Sequence, residues 1–136
     1  MAALVLDASA VMAGFLPDER GIADTDLLRD VATGAAIVPA HWPLEIAQAL
    51  LAAQRRKRIS VESRTAILRD LTLLPVAIDP ETPDHAWRQT LDLAETQALS
   101  LYDVAYLELA IRKGLPLATR DRILAAAAAR CGARLR

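Results

Sequence analysis

The sequence predicts a three-layer α/β fold, with a mostly parallel central sheet of four to five strands flanked by helices. Two observations carry that expectation. Apolar runs of three to five residues alternate, along the whole chain, with longer segments whose apolar residues recur at helical spacing. The runs themselves show no polar alternation, as strands covered on both faces require. With 136 residues, 54% hydrophobic and 24% charged, a single domain over 1–136 is expected. A chain of this length buries roughly two-thirds of its unfolded surface.

The elements follow in order. Leu4-Val5-Leu6 reads as a buried strand ending at Asp7, followed by a short helix from about Ala8 to Leu16. After the Pro17-Asp18 turn, Ile22, Leu27, Leu28 and Val31 mark a second helix, with Gly34 at its C′ position. Ala36-Ile37-Val38 is the second strand. Pro43 suits the first turn of a helix that carries Leu44, Ala47, Leu50 and Leu51 as far as Arg58. Ser60 caps the next helix, which carries Ile67, Leu68, Leu71 and Leu74.

Val76-Ala77-Ile78 is the third strand. Thr82-Pro83 opens a helix through Ala86, Trp87, Leu91 and Ala94, and Ser100 opens another that ends at Gly114. Leu115 to Thr119 is the fourth strand, with Pro116 at a position that needs no donor. Ile123 to Arg130 forms an alanine-rich last helix, and Cys131 to Leu135 is expected as a short edge strand.

Composition excludes several chemistries. Sixteen basic against seventeen acidic residues give a formal charge of -1, unlike a polybasic nucleic-acid coat or membrane binder. One cysteine and two histidines cannot supply a four-ligand Cys/His zinc site. Any metal must be held by oxygen. The lone Cys131 fits a reducing compartment, and the apolar start lacks a basic flank and stops at Asp7, so a cytoplasmic location is expected. No uncharged apolar stretch of about 20 residues is present, so no membrane span is expected.

In a parallel α/β sheet, ligands bind outside the carboxyl ends of the strands. Asp7 follows the first strand and Asp121 the fourth, while Glu45 and Asp103 occupy the first turns of helices. All four face one edge if strands one, two and four are neighbours. Such carboxylates raise each other's pKa unless a cation compensates them. Mg²⁺ or Mn²⁺ prefers carboxylate and water oxygens and readily takes phosphate, which suits phosphodiester hydrolysis. Taken singly, Asp103 with Ser100 also reads as a capping box, Glu45 as a helix-start acid and Asp121 as an N-cap. Asp7, ending a buried strand, needs partners under any reading.

Leu4-Val5-Leu6-Asp7-Ala8-Ser9-Ala10, Trp42-Pro43-Leu44-Glu45-Ile46-Ala47, the run from Ser100 to Ala110 around Tyr102-Asp103-Val104-Ala105-Tyr106, and Leu117-Ala118-Thr119-Arg120-Asp121 resemble the PIN-domain family. Within it, the likeness is to VapC-type toxins of toxin-antitoxin pairs, and it spans nearly the whole chain. The resemblance implies a Mg²⁺-dependent ribonuclease, with Mn²⁺ as an alternative ion, leaving 5′-phosphate and 3′-hydroxyl ends. Asp7, Glu45, Asp103 and Asp121 match the family's acidic quartet. Asp7 and Asp103 match the positions most directly tied to the metal, with Glu45 and Asp121 acting directly or through water. Ser9 and Thr119 fall where hydroxyls support the first and fourth acids. A homodimer and a neutralising antitoxin are implied partners.

RNA reaching an acidic pocket calls for a basic rim, for which Arg120, Arg122 and Arg112 are candidates. The cluster Arg55-Arg56-Lys57-Arg58 is expected to complement a helix dipole. Trp42 and Trp87 are expected in the core or an interface, and His41 and His85 as polar surface or cap-adjacent residues. Scarce aromatics argue against an extended base-stacking platform. Tyr102 and Tyr106, four apart, share one helix side. A catalytically silent PIN scaffold that binds RNA or protein is the competing reading. A haloacid-dehalogenase-like phosphatase would need an acid where Ser9 stands, and a receiver domain would need a lysine after a strand, which neither Lys57 nor Lys113 provides.

Overall fold

The computed structural model describes residues 1–136. Its sheet has the order β3-β2-β1-β4 and is parallel throughout. The strands are β1 (Leu4–Leu6), β2 (Ala36–Val38), β3 (Val76–Ile78) and β4 (Leu117–Ala118). β1 is central and every residue in it is buried, which explains its unbroken apolar sequence. It pairs with β2 through Leu4–Ala36 and Val5–Ile37, and with β4 through Val5–Leu117 and Leu6–Ala118. From β1 the chain adds β2 and β3 on one side, then returns to place β4 on the other. The switch point at which ligands bind in such sheets therefore lies between the carboxyl ends of β1 and β4.

Helices α1 (Ala8–Phe15), α2 (Ile22–Gly34), α3 (Trp42–Arg55) and α4 (Val61–Leu71) connect the first three strands. After β3 come α5 (Thr82–His85), a π-helical turn (Ala86–Thr90), α6 (Leu91–Gln97) and α7 (Leu101–Lys113), and α8 (Arg122–Arg130) follows β4. The core joins both sheet faces to α1, α3, α7 and α8, with Val11, Leu50, Tyr106, Leu107 and Leu124 among its fully buried side chains. Alanines at 127 and 128 bring α8 close to that core.

Several expectations change in detail. α2 runs through Gly34, and Ala35 takes the positive φ of 64°. Gly34 is needed for closeness, since a Cβ there would stand 2.8 Å from the Ala3 Cβ. α3 stops at Arg55, before Lys57 enters the left-handed region at φ 61°. β4 shrinks to two residues: the Pro116 carbonyl accepts from Val5, but its ring has no N–H to return. The expected strand after Cys131 reduces to a single parallel bridge between Leu117 and Leu135. The helix beginning near Thr82 is interrupted by the π turn, where Trp87 stands 90% exposed, outside the core that holds Trp42. No helix is long and apolar enough to cross a membrane.

Candidate active site

β1 delivers Asp7 directly into the switch point, where its backbone N–H donates to the Ala118 carbonyl at the end of β4. Its side chain is buried. Asp7 Oδ2 accepts from Ser9 Oγ and from Thr119 Oγ1, both at 2.6 Å. Each hydroxyl is itself fixed from behind, because Ser9 Oγ accepts from the Arg120 N–H and Thr119 Oγ1 from the Asp121 N–H, both at 3.0 Å. The two carboxyl ends are thus laced together, and Asp7 Oδ1 is left without a protein donor.

The other carboxylates come from helix starts. Ser100 caps α7 by accepting from the Asp103 N–H at 3.2 Å, but the Asp103 carboxylate makes no return bond, so the capping box is half formed. Its charge is left to act on Asp7 and Glu45. Asp121 caps α8 through Oδ1, which accepts from the Ile123 and Leu124 N–H groups. Its Oδ2 has no protein partner. Glu45 lies in the first turn of α3 and accepts a short hydrogen bond from the buried Tyr106 hydroxyl of α7. His41 Nε2 lies 2.9 Å from the Tyr102 carbonyl, which can only accept, so this nitrogen carries a proton; it also lies 3.3 Å from Glu45 Oε1.

The charges of these groups act on one another. Burial raises the Asp7 pKa above 3.8; bonds from Ser9 and Thr119 oppose the rise, and the charges of Asp103 and Asp121 add to it. Glu45 is raised above 4.5, again first by burial, with Tyr106 and His41 opposing and Asp7 and Asp103 adding. Burial and the Glu45 carboxylate push the Tyr106 phenol up, keeping it a donor. A cleft of about 490 Å³ connects Ser9, Glu45 and Asp121 to Arg56, Arg58 and Arg120.

No three Asp, Glu, His or Cys side chains stand in an arrangement that would hold an ion without adjustment. The donor chemistry nonetheless fits a hard divalent cation. The available atoms are all carboxylate oxygens, including Asp7 Oδ1, both Asp103 oxygens and Asp121 Oδ2, and the crowded charge favours a cation. Water would complete the shell.

The family described as PIN domain matches residues 4–130. The chain belongs to the PIN-domain family. The crystal structure of PAE2754 from Pyrobaculum aerophilum is similar, with a TM-score of 0.67 and 23% identity over 93% of this chain and 79% of that one. That likeness concerns the fold. Among curated proteins, none matches the chain. PIN folds are generally nuclease folds that act on RNA or other nucleic acid with divalent metal ions, and at that level this PIN domain is of nuclease type.

The PIN fold brings Asp7, Glu45, Asp103 and Asp121 to one sheet edge, with Ser9 and Thr119 bonded to Asp7. Its basic candidates divide. Arg122 is exposed beside Asp121, whereas Arg120 pairs with the buried Asp24 while lining the cleft. Arg112 is corrected. Its guanidinium is mostly buried and held by Asp79 at 2.6 Å and Glu108 at 2.8 Å, which leaves it no part in the cleft.

Sequence reasoning missed His41, Tyr106 and Arg56 as neighbours of the site. His41 is four residues before Glu45 on the same helical side, a readable pairing. Tyr106 gave only its spacing from Tyr102. Arg56 was hidden in a cluster whose helix-end position explains basic residues without a ligand. Of that cluster, Arg58 folds back to Asp18 and Glu19, whereas Arg56 makes no ion pair and lines the cleft.

Proposed function

We propose that this PIN domain is a Mg²⁺- or Mn²⁺-dependent ribonuclease and the toxin component of a VapBC-type toxin-antitoxin pair, acting in the cytoplasm as a homodimer and as one domain over 1–136. The observation that carries the nuclease reading is the Asp7 clamp. Ser9 and Thr119 fix one carboxylate oxygen while the other stays free beside the charges of Asp103 and Asp121. A purely structural buried acid would have both oxygens satisfied.

Asp7 and Asp103 would hold the cation, with Glu45 and Asp121 completing the site directly or through water. When bound, a divalent cation neutralises phosphate charge and makes water a better nucleophile at neutral pH. The protein supplies position. Ser9 and Thr119 lock the Asp7 rotamer, and Tyr106 with His41 holds Glu45 against α7. Glu45 Oε2, which no protein group bonds, can accept a proton from water as phosphorus is attacked in line. Arg120 and Arg122 flank Asp121 where a phosphate backbone would approach.

The decisive experiment is cleavage of total RNA by purified protein with Mg²⁺ or Mn²⁺, with cut sites mapped and Asp7→Asn as control. Cleavage that requires the metal and disappears in the variant supports the reading. Binding without cleavage under every metal condition would overturn it in favour of a silent RNA-binding scaffold. The toxin assignment requires growth arrest on expression, relieved by a co-expressed small antitoxin from the adjacent reading frame.

A further inference from the structure

Glu45, Ala49 and Ala52 follow one another along a single side of α3, and Arg56 stands immediately past its C-terminal end. The first three line two hollows at once. One is the cleft of about 490 Å³ that reaches Arg56, and the other, of about 510 Å³, is bounded by His41, Leu44, Gln48 and Tyr102. Glu45, Ala49 and Ala52 are thus the shared floor of both hollows, and the two together border a trough along α3 that includes Glu45 and, on the side of the first hollow, Asp121. Its ends differ in chemistry.

At one end, Tyr102 is 67% exposed and shares the hollow with the exposed Leu44. The His41 ring meets it edge-on, with centroids 5.8 Å apart and planes at 61°, which restrains the phenol without a parallel stack. At the other end, Arg56 has no acidic partner, although Arg58 and Arg120 beside it are both paired. A single RNA strand alternates planar bases with phosphates, so one molecule satisfies both ends. A duplex keeps its bases stacked and offers Tyr102 no face.

We infer that the trough over α3 is the substrate path for single-stranded RNA, with one unstacked base on Tyr102 and a backbone phosphate on Arg56, so that the strand crosses Glu45 between them. This rests on the nuclease reading above and names how its substrate is held. Tyr102 acts through stacking, and Arg56 through charge.

The test measures binding of labelled single-stranded RNA by fluorescence anisotropy in an Asp7→Asn background, which leaves the strand uncut. Tyr102→Ala is expected to weaken binding about tenfold and Tyr102→Phe to restore it, since the ring stacks without its hydroxyl. The Tyr102 carbonyl that holds His41 is untouched by either change. An abasic scan of the RNA should find one position at which Tyr102→Ala costs nothing further. Arg56→Gln should lower the salt dependence by about one counterion.

Unchanged binding by Tyr102→Ala, or failure of Tyr102→Phe to restore it, would overturn the inference and give this face to a protein partner. RNA that binds through Tyr102 and Arg56 but is never cut by the wild-type protein would uphold the trough and overturn the nuclease reading alone.

Discussion

Thr119 Oγ1 donates to Asp7 Oδ2 at 2.6 Å across 112 residues of sequence, sharing that oxygen with Ser9. The bond joins the carboxyl ends of β4 and β1 at the switch point and leaves Oδ1 as the Asp7 oxygen without a protein donor. Thr119→Val keeps the shape and removes the donor. It should weaken divalent-metal affinity or RNA cleavage by about 10–100-fold. Ser9→Ala should cost a similar amount, and the double variant should fall short of the product of the two, because both act on one oxygen. Metal titration by calorimetry checks the series, and strictly independent effects would rule out a shared clamp.

The raised carboxyls of Asp7 and Glu45 set a pH dependence in the metal-free protein. Their native forms hold protons more tightly than the unfolded chain does. The resulting stabilisation is fully present below the ordinary values of 3.8 and 4.5 and is lost as pH rises through the raised native values. Asn at position 7 still accepts from Ser9 and Thr119 but buries no charge. Asp7→Asn in EDTA should therefore lose less thermal stability than wild type as pH rises from about 4 to 7. Mg²⁺ should raise the wild-type Tm at neutral pH and leave the variant's unchanged. Parallel pH profiles for the two proteins would contradict the assignment of Asp7 as the buried charge.

Tyr106 ties Glu45 on α3 to α7 from within the core. Its hydrogen bond opposes the rise in the Glu45 pKa, so Tyr106→Phe should move that carboxyl higher still. The acidic limb of the pH-rate profile should shift to higher pH, with stability reduced by about 1 kcal/mol. An unshifted limb with lost stability would reduce Tyr106 to a packing residue.

Much of this arrangement is legible in sequence because burial and capping are local. β1 reads as a strand since its residues are all apolar, and Asp7 stands out because the run stops on a charge. Ser100 and Gly114 bound α7 as their chemistry dictates, with Gly114 at φ 65°. What was illegible depends on distant partners. Nothing near Arg112 in sequence discloses that Asp79, 33 residues away, is fully buried against it. The π turn at Ala86–Thr90 likewise follows no readable signal, and Trp87 within it stands exposed, which removes the core from the expectation of core or interface. Arg56 and Arg58 look equivalent in sequence and differ only through the acids of the turn after α1.

Arg112 supplies a prediction that separates stability from function. Burial would push the fully enclosed Asp79 up, yet Arg112, the Glu81 N–H and Thr82 together hold its carboxyl below the ordinary value, so it remains ionised. Glu108 also depends on Arg112 for two hydrogen bonds. Arg112→Gln strands a buried charge, and removing one partner of such a pair costs about 3–5 kcal/mol. Denaturant unfolding should show that loss, whereas RNA binding by the folded fraction should be unchanged. Arg122→Gln should do the reverse, leaving stability within about 0.5 kcal/mol while weakening RNA binding and its salt dependence. If Arg112→Gln instead impaired binding at full stability, its guanidinium would have to leave Asp79 to meet RNA. The buried carboxylate, with 0% of its surface exposed, would then keep only the Glu81 N–H and Thr82 as donors, and that result would overturn the structural role given to Arg112.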